Sequence, residues 1–263
     1  MRRFCIAVAL SLIISGNAIV FGEIPSTTES GAFDGTTTLS GDASKHEQFE
    51  NSLNANLLFA EQENAALLSL SNKLGLSYGR LVSIFSFNIS DKRCSLVPIC
   101  DCKEHLNCFL NIFSYSDPNY IQHYRNGELM PESYVEQWFH ESVKKMSQDH
   151  LQGITLLIKI EGKVIGRIGI GPFNDGKRDL EIGYALQQSY SGQGIMSKAV
   201  AQAICFLHYL RSEGDTSYNF EKLRATAKKE NIASNKILMA CGFMKSNDIN
   251  TSYGPRQEYF YYF

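Results

Sequence analysis

From about Lys92 to Phe263 the sequence predicts a domain that mixes strands and helices, and three observations carry that reading. Short apolar runs suited to strands alternate with longer stretches of helical period. A tight-turn signal, Glu161-Gly162-Lys163, separates two of the apolar runs. Finally, the apolar run Leu180–Leu186 leads through Ser191-Gly192-Gln193-Gly194 directly into a helical pattern at Ile195. The chain has 263 residues, 44% hydrophobic and 20% charged, enough for one large domain or two small ones with a sizeable core.

At the N-terminus, Arg2 and Arg3 precede an apolar run from Phe4 to Val20, the order of a secretory signal peptide. Gly16 with Ala18, or Val20 with Gly22, offers the small residues of a cleavage site. Residues 1–22 are therefore expected to be a signal peptide or a membrane anchor, with membrane contact confined to residues 4–20. The chain is then secreted or membrane-anchored if that segment acts as a signal, and cytoplasmic otherwise. Residues 23–45 are rich in Ser, Thr, Gly and acidic residues and bury too little apolar surface to order themselves, so a flexible linker is expected. Residues 46–90 form a helical extension. Phe49, Leu53, Leu57, Phe59, Leu67 and Leu70 recur at helical intervals, Gly75 is placed to end the run, and the stripe suits docking on a neighbouring domain.

Within residues 91–263, Leu96-Val97-Pro98 ends a first strand and Cys102–Phe113 fits an amphipathic helix. Met130–Met146 is a second helix, with Pro131 at its start and the single Trp138 inside it. Strands at Gly153–Ile160 and Val164–Ile170 form a hairpin, Asn174-Asp175-Gly176-Lys177 marks another turn, and Leu180–Leu186 is the next strand. A helix from Ile195 to about Leu210, a strand at Lys222–Ala227, a helix at Ile232–Ala240 closed by Gly242 and final strands complete the pattern.

A formal net charge of -2 provides no general basic field, so nucleic acid is not expected as a partner. Of seven cysteines, Cys5 lies in the leader, and Cys94, Cys100, Cys102 and Cys108 are spaced C-x5-C-x-C-x5-C. That spacing lacks the C-x-x-C knuckles of structural zinc, so no metal is expected. Cys205 and Cys241 sit where a thiol behaves as a small buried apolar group.

The strand-loop-helix at Leu180–Ala199 is the segment that can carry chemistry. Unpaired backbone N–H groups and the dipole of the following helix converge there, and the pair can hold a diphosphate. Side chains at positions 192 and 194 would keep phosphate oxygens from the backbone, which is a reason for glycine at both.

These residues resemble the GNAT superfamily of acetyl-CoA-dependent N-acyltransferases, whose pyrophosphate loop has the form Q/R-x-x-G-x-G/A. Within it they resemble the branch of ribosomal-protein N-terminal acetyltransferases and spermidine acetyltransferases, in which E-I-G-Y is followed by G-Q-G-I. Glu181–Tyr184 and Gly192–Ser197 carry that likeness, and Asn231-Ile-Ala-Ser234-Asn235 with Gly242-Phe243 matches a second segment, N-x-x-S-N…G-F. Ser189 departs from the pattern, which has Gln or Arg there. The resemblance implies an α+β fold: a mixed, mostly antiparallel central sheet with two splayed strands, flanked by helices.

It also implies acetyl-CoA as co-substrate, with no metal. Backbone groups at Tyr184, Ala185 and Leu186 would bind the pantetheine and thioester, and Gly192, Gln193, Gly194, Ile195 and Met196 the pyrophosphate. Asn231 would reach the coenzyme with its side-chain amide, helix capping being the alternative role for Asn231 and Ser234. Glu181 is the candidate general base and Ser234 the candidate acid. Many relatives place an acidic Tyr where this chain has Leu238, which leaves Tyr253, Tyr259 and Glu258 as other candidates near the C-terminus.

The expected substrate is a primary amine, either a protein N-terminus or lysine, or a polyamine. A polyamine pocket needs several carboxylates, for which Asp117, Glu128, Glu132 and Glu136 are candidates. The alternative is a secreted or anchored, non-catalytic acyl-CoA-binding interaction protein of the same fold.

Overall fold

The computed structural model describes residues 40–124, 127–148, 153–173, 179–214 and 219–263, the backbone alone for 40–56. The expected leader, residues 23–39 of the expected linker and the turn at Asn174–Lys177 lie outside these residues.

In chain order the elements are α1 (Ser40–Leu74), α2 (Tyr78–Phe85), β1 (Ser86–Ile89), β2 (Lys92–Pro98), α3 (Lys103–Phe113), α4 (Glu132–Ser147), β3 (Ile154–Ile160) and β4 (Lys163–Phe173). Then come β5 (Asp179–Leu186), α5 (Ile195–Glu213), β6 (Lys222–Ala227), α6 (Ile232–Ala240), β7 (Met244–Thr251) and β8 (Gly254–Tyr262). The strands form one eight-stranded sheet in the order β1-β2-β3-β4-β5-β6-β8-β7. All neighbours are antiparallel except β5 and β6, which are parallel. This is the mixed, mostly antiparallel α+β sheet the sequence implies.

Sequence chemistry accounts for the local choices. The β3–β4 hairpin turns at Glu161 (φ 47) and Gly162 (φ 85), both in the left-handed region that matches strand twist in a tight hairpin. In β3 nearly every residue is buried, the pattern of a central strand covered on both faces rather than of an alternating edge. Helices α3 and α4 pack on each other and on β4 and β3, where Phe109, Phe113, Trp138 and Phe139 meet edge-on or tilted. Such aromatic pairs add about 0.5–1.5 kcal/mol each beyond the area they bury. Arg167 of β4 is buried beneath this cluster, its guanidinium 4.4 Å from the Trp138 ring centroid and 5.1 Å from that of Phe109. Tyr184 of β5 alternates to the other face of the sheet from Ala185, the residue opposite Arg167, and reaches Ser234 of α6.

From Phe49 onward the chain forms one compact unit, and the apolar stripe of α1 joins its core through Phe59, Leu67, Leu70 and Leu74. Glu63 of α1, 8% exposed, pairs with Lys159 of β3 at 2.5 Å, so the helix is tied to the sheet by charge as well as by apolar burial. The stretch expected to be wholly helical ends in a strand, β1, because Phe87 and Ile89 find an antiparallel partner in β2. Among the described residues no helix is long and apolar enough to cross a membrane.

Candidate active site

The parting of two strands makes the site. Strand β5 pairs with β6 over three rungs only, Asp179 with Lys222, Leu180 with Leu223 and Glu181 with Arg224. Two ion pairs clamp those rungs, Lys222–Asp179 at 3.2 Å and Arg224–Glu181 at 3.2 Å. Beyond Glu181 the strands diverge, β5 staying with β4 to Leu186 and β6 with β8 to Ala227. A cleft of about 980 Å³ opens in the fork, roofed by α5, α6 and the segment between α3 and α4.

Residue by residue, the cleft gathers Glu181, Tyr184, Ala185, Leu186, Gly192, Gly194, Ile195, Met196, Asn231 and Ser234. Gln193 is left out, because its side chain turns outward and donates to the Ser189 carbonyl at 3.1 Å. Gly192 and Gly194 have φ of 75° and 76°, and a Cβ at either would meet nothing within 4 Å. Their role is therefore twofold: they adopt a left-handed backbone that costs other residues strain, and they leave the loop surface bare toward the cleft. Gly194 is the N-cap of the 19-residue helix α5 and offers no capping side chain. The first backbone donor of this turn with a main-chain acceptor is Lys198 N–H, which bonds the Gly194 carbonyl. The preceding donors, from Gly192 to Ser197, have no main-chain acceptor among the described residues. An anion fits this cradle, since the positive helix end and the unpaired donors coincide.

Around the loop, side chains hold the walls. Tyr120 donates to the Leu186 carbonyl at 2.9 Å and accepts from the Ser191 hydroxyl at 2.7 Å. One phenol thus ties the end of β5 to the loop, and burial raises its pKa so that it stays protonated. Tyr184 donates to the Ser234 carbonyl at 3.4 Å, and burial pushes that phenol up as well. Asn231 caps α6, its Oδ1 accepting the Ser234 N–H at 3.1 Å, so its oxygen serves the helix and its amide nitrogen is the group left to reach a ligand. Leu238, 1% exposed, lines the cleft and brings no hydroxyl to it.

At the fork, buried Arg224 divides its guanidinium between Glu181 (Nη1 to Oε2, 3.2 Å) and Glu258 (Nε to Oε1, 2.7 Å) and stacks 3.9 Å from the Phe173 ring centroid. Glu181 lines the cleft, while Glu258 stays outside its lining. Tyr253 lines the cleft, whereas Tyr259 is buried outside the lining with its hydroxyl donated to Asn235 at 3.0 Å. Of the four carboxylates considered for a polyamine pocket, Asp117, Glu128, Glu132 and Glu136, none reaches the cleft. The titratable lining is instead His123, Glu181, Arg224, Glu230, Lys236 and Arg256, apart from its tyrosines.

Comparison with known proteins follows the same segments. Residues 96–244 match the family model described as an acetyltransferase (GNAT) domain. The chain belongs to the GNAT acetyltransferase family. Over 91 residues it is 31% identical to the uncharacterized N-acetyltransferase p20 of Bacillus licheniformis, covering 35% of this chain and 47% of that protein. The chain thus spans about half the length of the curated relative it matches. Among solved structures it is similar to the ribosomal L7/L12 α-N-protein acetyltransferase RimL in complex with coenzyme A, at 15% identity and a TM-score of 0.51, covering 67% of this chain and 97% of that one. The microcin C7 self-immunity acetyltransferase MccE in complex with acetyl-CoA and AMP is similar at 14% identity and a TM-score of 0.51, covering 70% and 99%. An acetyltransferase from Salmonella typhimurium, described as modifying the N-terminal serine of ribosomal protein L7/L12, matches at 15% and 0.51, covering 68% and 99%. At these identities the likeness is one of fold.

Several cleft residues escaped the sequence reading, among them Tyr120 and His123. Both sit between α3 and α4 in a stretch without helical or strand period, so no pattern pointed inward. The turn chemistry of Asp117-Pro118-Asn119 was the one available signal, and the Asn119 N–H does bond the Asp117 carboxylate at 2.8 Å.

Proposed function

We propose that this GNAT protein transfers an acetyl group from acetyl-CoA to a primary amine of a protein, an N-terminal α-amine or a lysine. The observation that carries the reading is the fork between β5 and β6, flanked by a glycine loop whose N–H groups have no main-chain acceptor among the described residues. The loop from Gly192 to Met196 would hold the pyrophosphate, the backbone from Tyr184 to Leu186 the pantetheine arm, and the Asn231 amide would assist. Bound there, acetyl-CoA supplies an acyl thioester as the electrophile.

The chain's own residues then have separate tasks. Glu181 accepts a proton from the incoming amine, directly or through one water, and Arg224 fixes its carboxylate at the fork. Ser234 presents a hydroxyl from the opposite wall as proton donor. Isoleucine, leucine and phenylalanine in the lining, among them Ile112, Phe113 and Leu238, exclude water from between them.

Protein amines are favoured over polyamines by the charges in the cleft. The carboxylates of the lining are Glu181, which Arg224 already engages, and Glu230, so a polyamine lacks the cluster of carboxylates it needs there. The test is acetyl-CoA titration by calorimetry, then thiol release with peptides bearing free N-termini, lysine peptides and spermidine. Turnover with peptides is expected; coenzyme binding without turnover for any amine would instead indicate a non-catalytic binding protein.

A further inference from the structure

A second group of reactive side chains lies outside the cleft, at the start of α3. The Cys102 N–H bonds the Cys100 carbonyl at 3.0 Å, an i to i+2 bond that closes a γ-turn around Asp101. The turn folds both cysteines to one side, with their Sγ atoms 3.7 Å apart. Both thiols are half-buried and within reach of small molecules, whereas neighbouring Cys94 and Cys108 are buried. A disulfide needs about 2.05 Å between sulfurs, so the pair is within a side-chain rotation's order of distance from bonding.

A buried polar chain stands behind the pair. His105, 0% exposed, accepts the Cys100 N–H at Nδ1 (3.0 Å), and the same nitrogen lies 3.4 Å from Cys100 Sγ. With Nδ1 accepting, the ring proton sits on Nε2, which faces Glu63 Oε1 at 3.5 Å, and Glu63 in turn pairs with Lys159. Burying a carboxylate and an imidazole together is costly, and the fold of a helix on a sheet does not require it. What the arrangement does is polarise the thiols. The hydrogen bond from the Cys100 thiol stabilises the Cys102 thiolate and lowers its pKa, while the same bond and burial push Cys100 up. Cys102, as N-cap of α3, also faces the positive end of that helix.

We propose that Cys100 and Cys102 are a thiol–disulfide exchange centre that is oxidised by low-molecular-weight disulfides, with Cys102 attacking and Cys100 resolving. The Cys102 thiolate attacks one sulfur of the small disulfide, forming a mixed disulfide and releasing one small thiolate. The Cys100 thiol then attacks Cys102 Sγ, its proton leaving with the second small thiol. The protein loses two electrons and the small disulfide gains them. A metal ion is the competing occupant of two cysteines and a histidine, but the Nδ1 lone pair it needs already accepts the Cys100 N–H. The proposal is independent of the acetyl-transfer reading, since none of these residues lines the cleft.

The test equilibrates the reduced full chain with glutathione disulfide, quenches with acid, alkylates under denaturing conditions and maps the cysteines by mass spectrometry. Cys100 and Cys102 are expected to escape alkylation together with the loss of two hydrogens, while Cys94 and Cys108 remain alkylated. Cys100→Ser should stop at a glutathione adduct on Cys102. Because only the thiolate attacks, Cys102→Ser should remove the fast phase of reaction with glutathione disulfide at about pH 6, where an ordinary thiol reacts slowly. Persistent alkylation of both cysteines, separate adducts on each in the unaltered chain, or stoichiometric zinc or copper in the purified protein would overturn the proposal. The paired-protection result in the unaltered chain decides even where a variant does not fold.

Discussion

Glu181 and Arg224 face each other on the last rung that β5 and β6 share, with a carboxylate oxygen 3.2 Å from the guanidinium. The pair sits where the sheet stops being continuous. It therefore closes the fork and holds at its vertex the carboxylate proposed as base. Arg224 is anchored independently by Glu258 at 2.7 Å, so the loss of Glu181 does not strand a buried charge.

That independence makes Glu181→Gln a clean test. The amide keeps a hydrogen bond to Arg224 and loses the ability to take a proton. A fall in kcat of about 10²–10⁴-fold is expected, the usual contribution of a positioned base, with coenzyme affinity changed by less than about twofold. A kcat within a factor of about three of the parent would remove Glu181 from the reaction.

Gly192→Asp with Gly194→Asp addresses the phosphate loop. Each side chain enters open space but at a φ of 75° or 76°, which costs roughly 1–2 kcal/mol per residue, and each brings a negative charge to an anion cradle. Acetyl-CoA affinity by calorimetry should fall by more than about tenfold, with the thermal midpoint lowered by several degrees.

Tyr120→Phe removes the hydroxyl that joins Leu186 to Ser191. Loss of these bonds should cost about 1 kcal/mol of stability, and the loosened loop should raise KM for acetyl-CoA more than it lowers kcat. Ser191→Ala alone should do less, because Tyr120 keeps its bond to the Leu186 carbonyl. A double-mutant cycle between the two measures the coupling.

His123 carries a pH signature. Burial first, then the charges of Lys228 and Arg256, lower its pKa in the folded chain. A histidine with a depressed folded pKa binds more protons unfolded, so its contribution to stability is present above the unfolded value of about 6.5 and is lost as pH falls through the lower folded value. Denaturation midpoints measured from pH 7.5 downward should show a component of acid destabilisation that His123→Gln removes.

Much of the fold was legible because it rests on period and turn chemistry. The β3–β4 hairpin, β6 and α6 fall where alternation, Glu161-Gly162 and the Asn231 cap put them. The loop at Ser191–Gly194 was legible because a strand pattern feeds through two glycines directly into a helical pattern, the context in which unpaired N–H groups converge. Strand β1 was not legible, since Ser86–Ile89 becomes a strand only through β2, and neither were Tyr120 and His123, which lie in an aperiodic segment.

The amino-acid order by itself determined the elements, the phosphate loop and the family likeness, because hydrogen bonding to near neighbours and side-chain period act over a few residues. Tertiary structure alone decided that β5 and β6 part after Glu181, that Arg224 is shared by two carboxylates, and that Glu63 of α1 reaches a histidine beside Cys100 and Cys102. Those relationships join positions 34 to 43 residues apart, and only the packing of the whole sheet and its helices sets their distances.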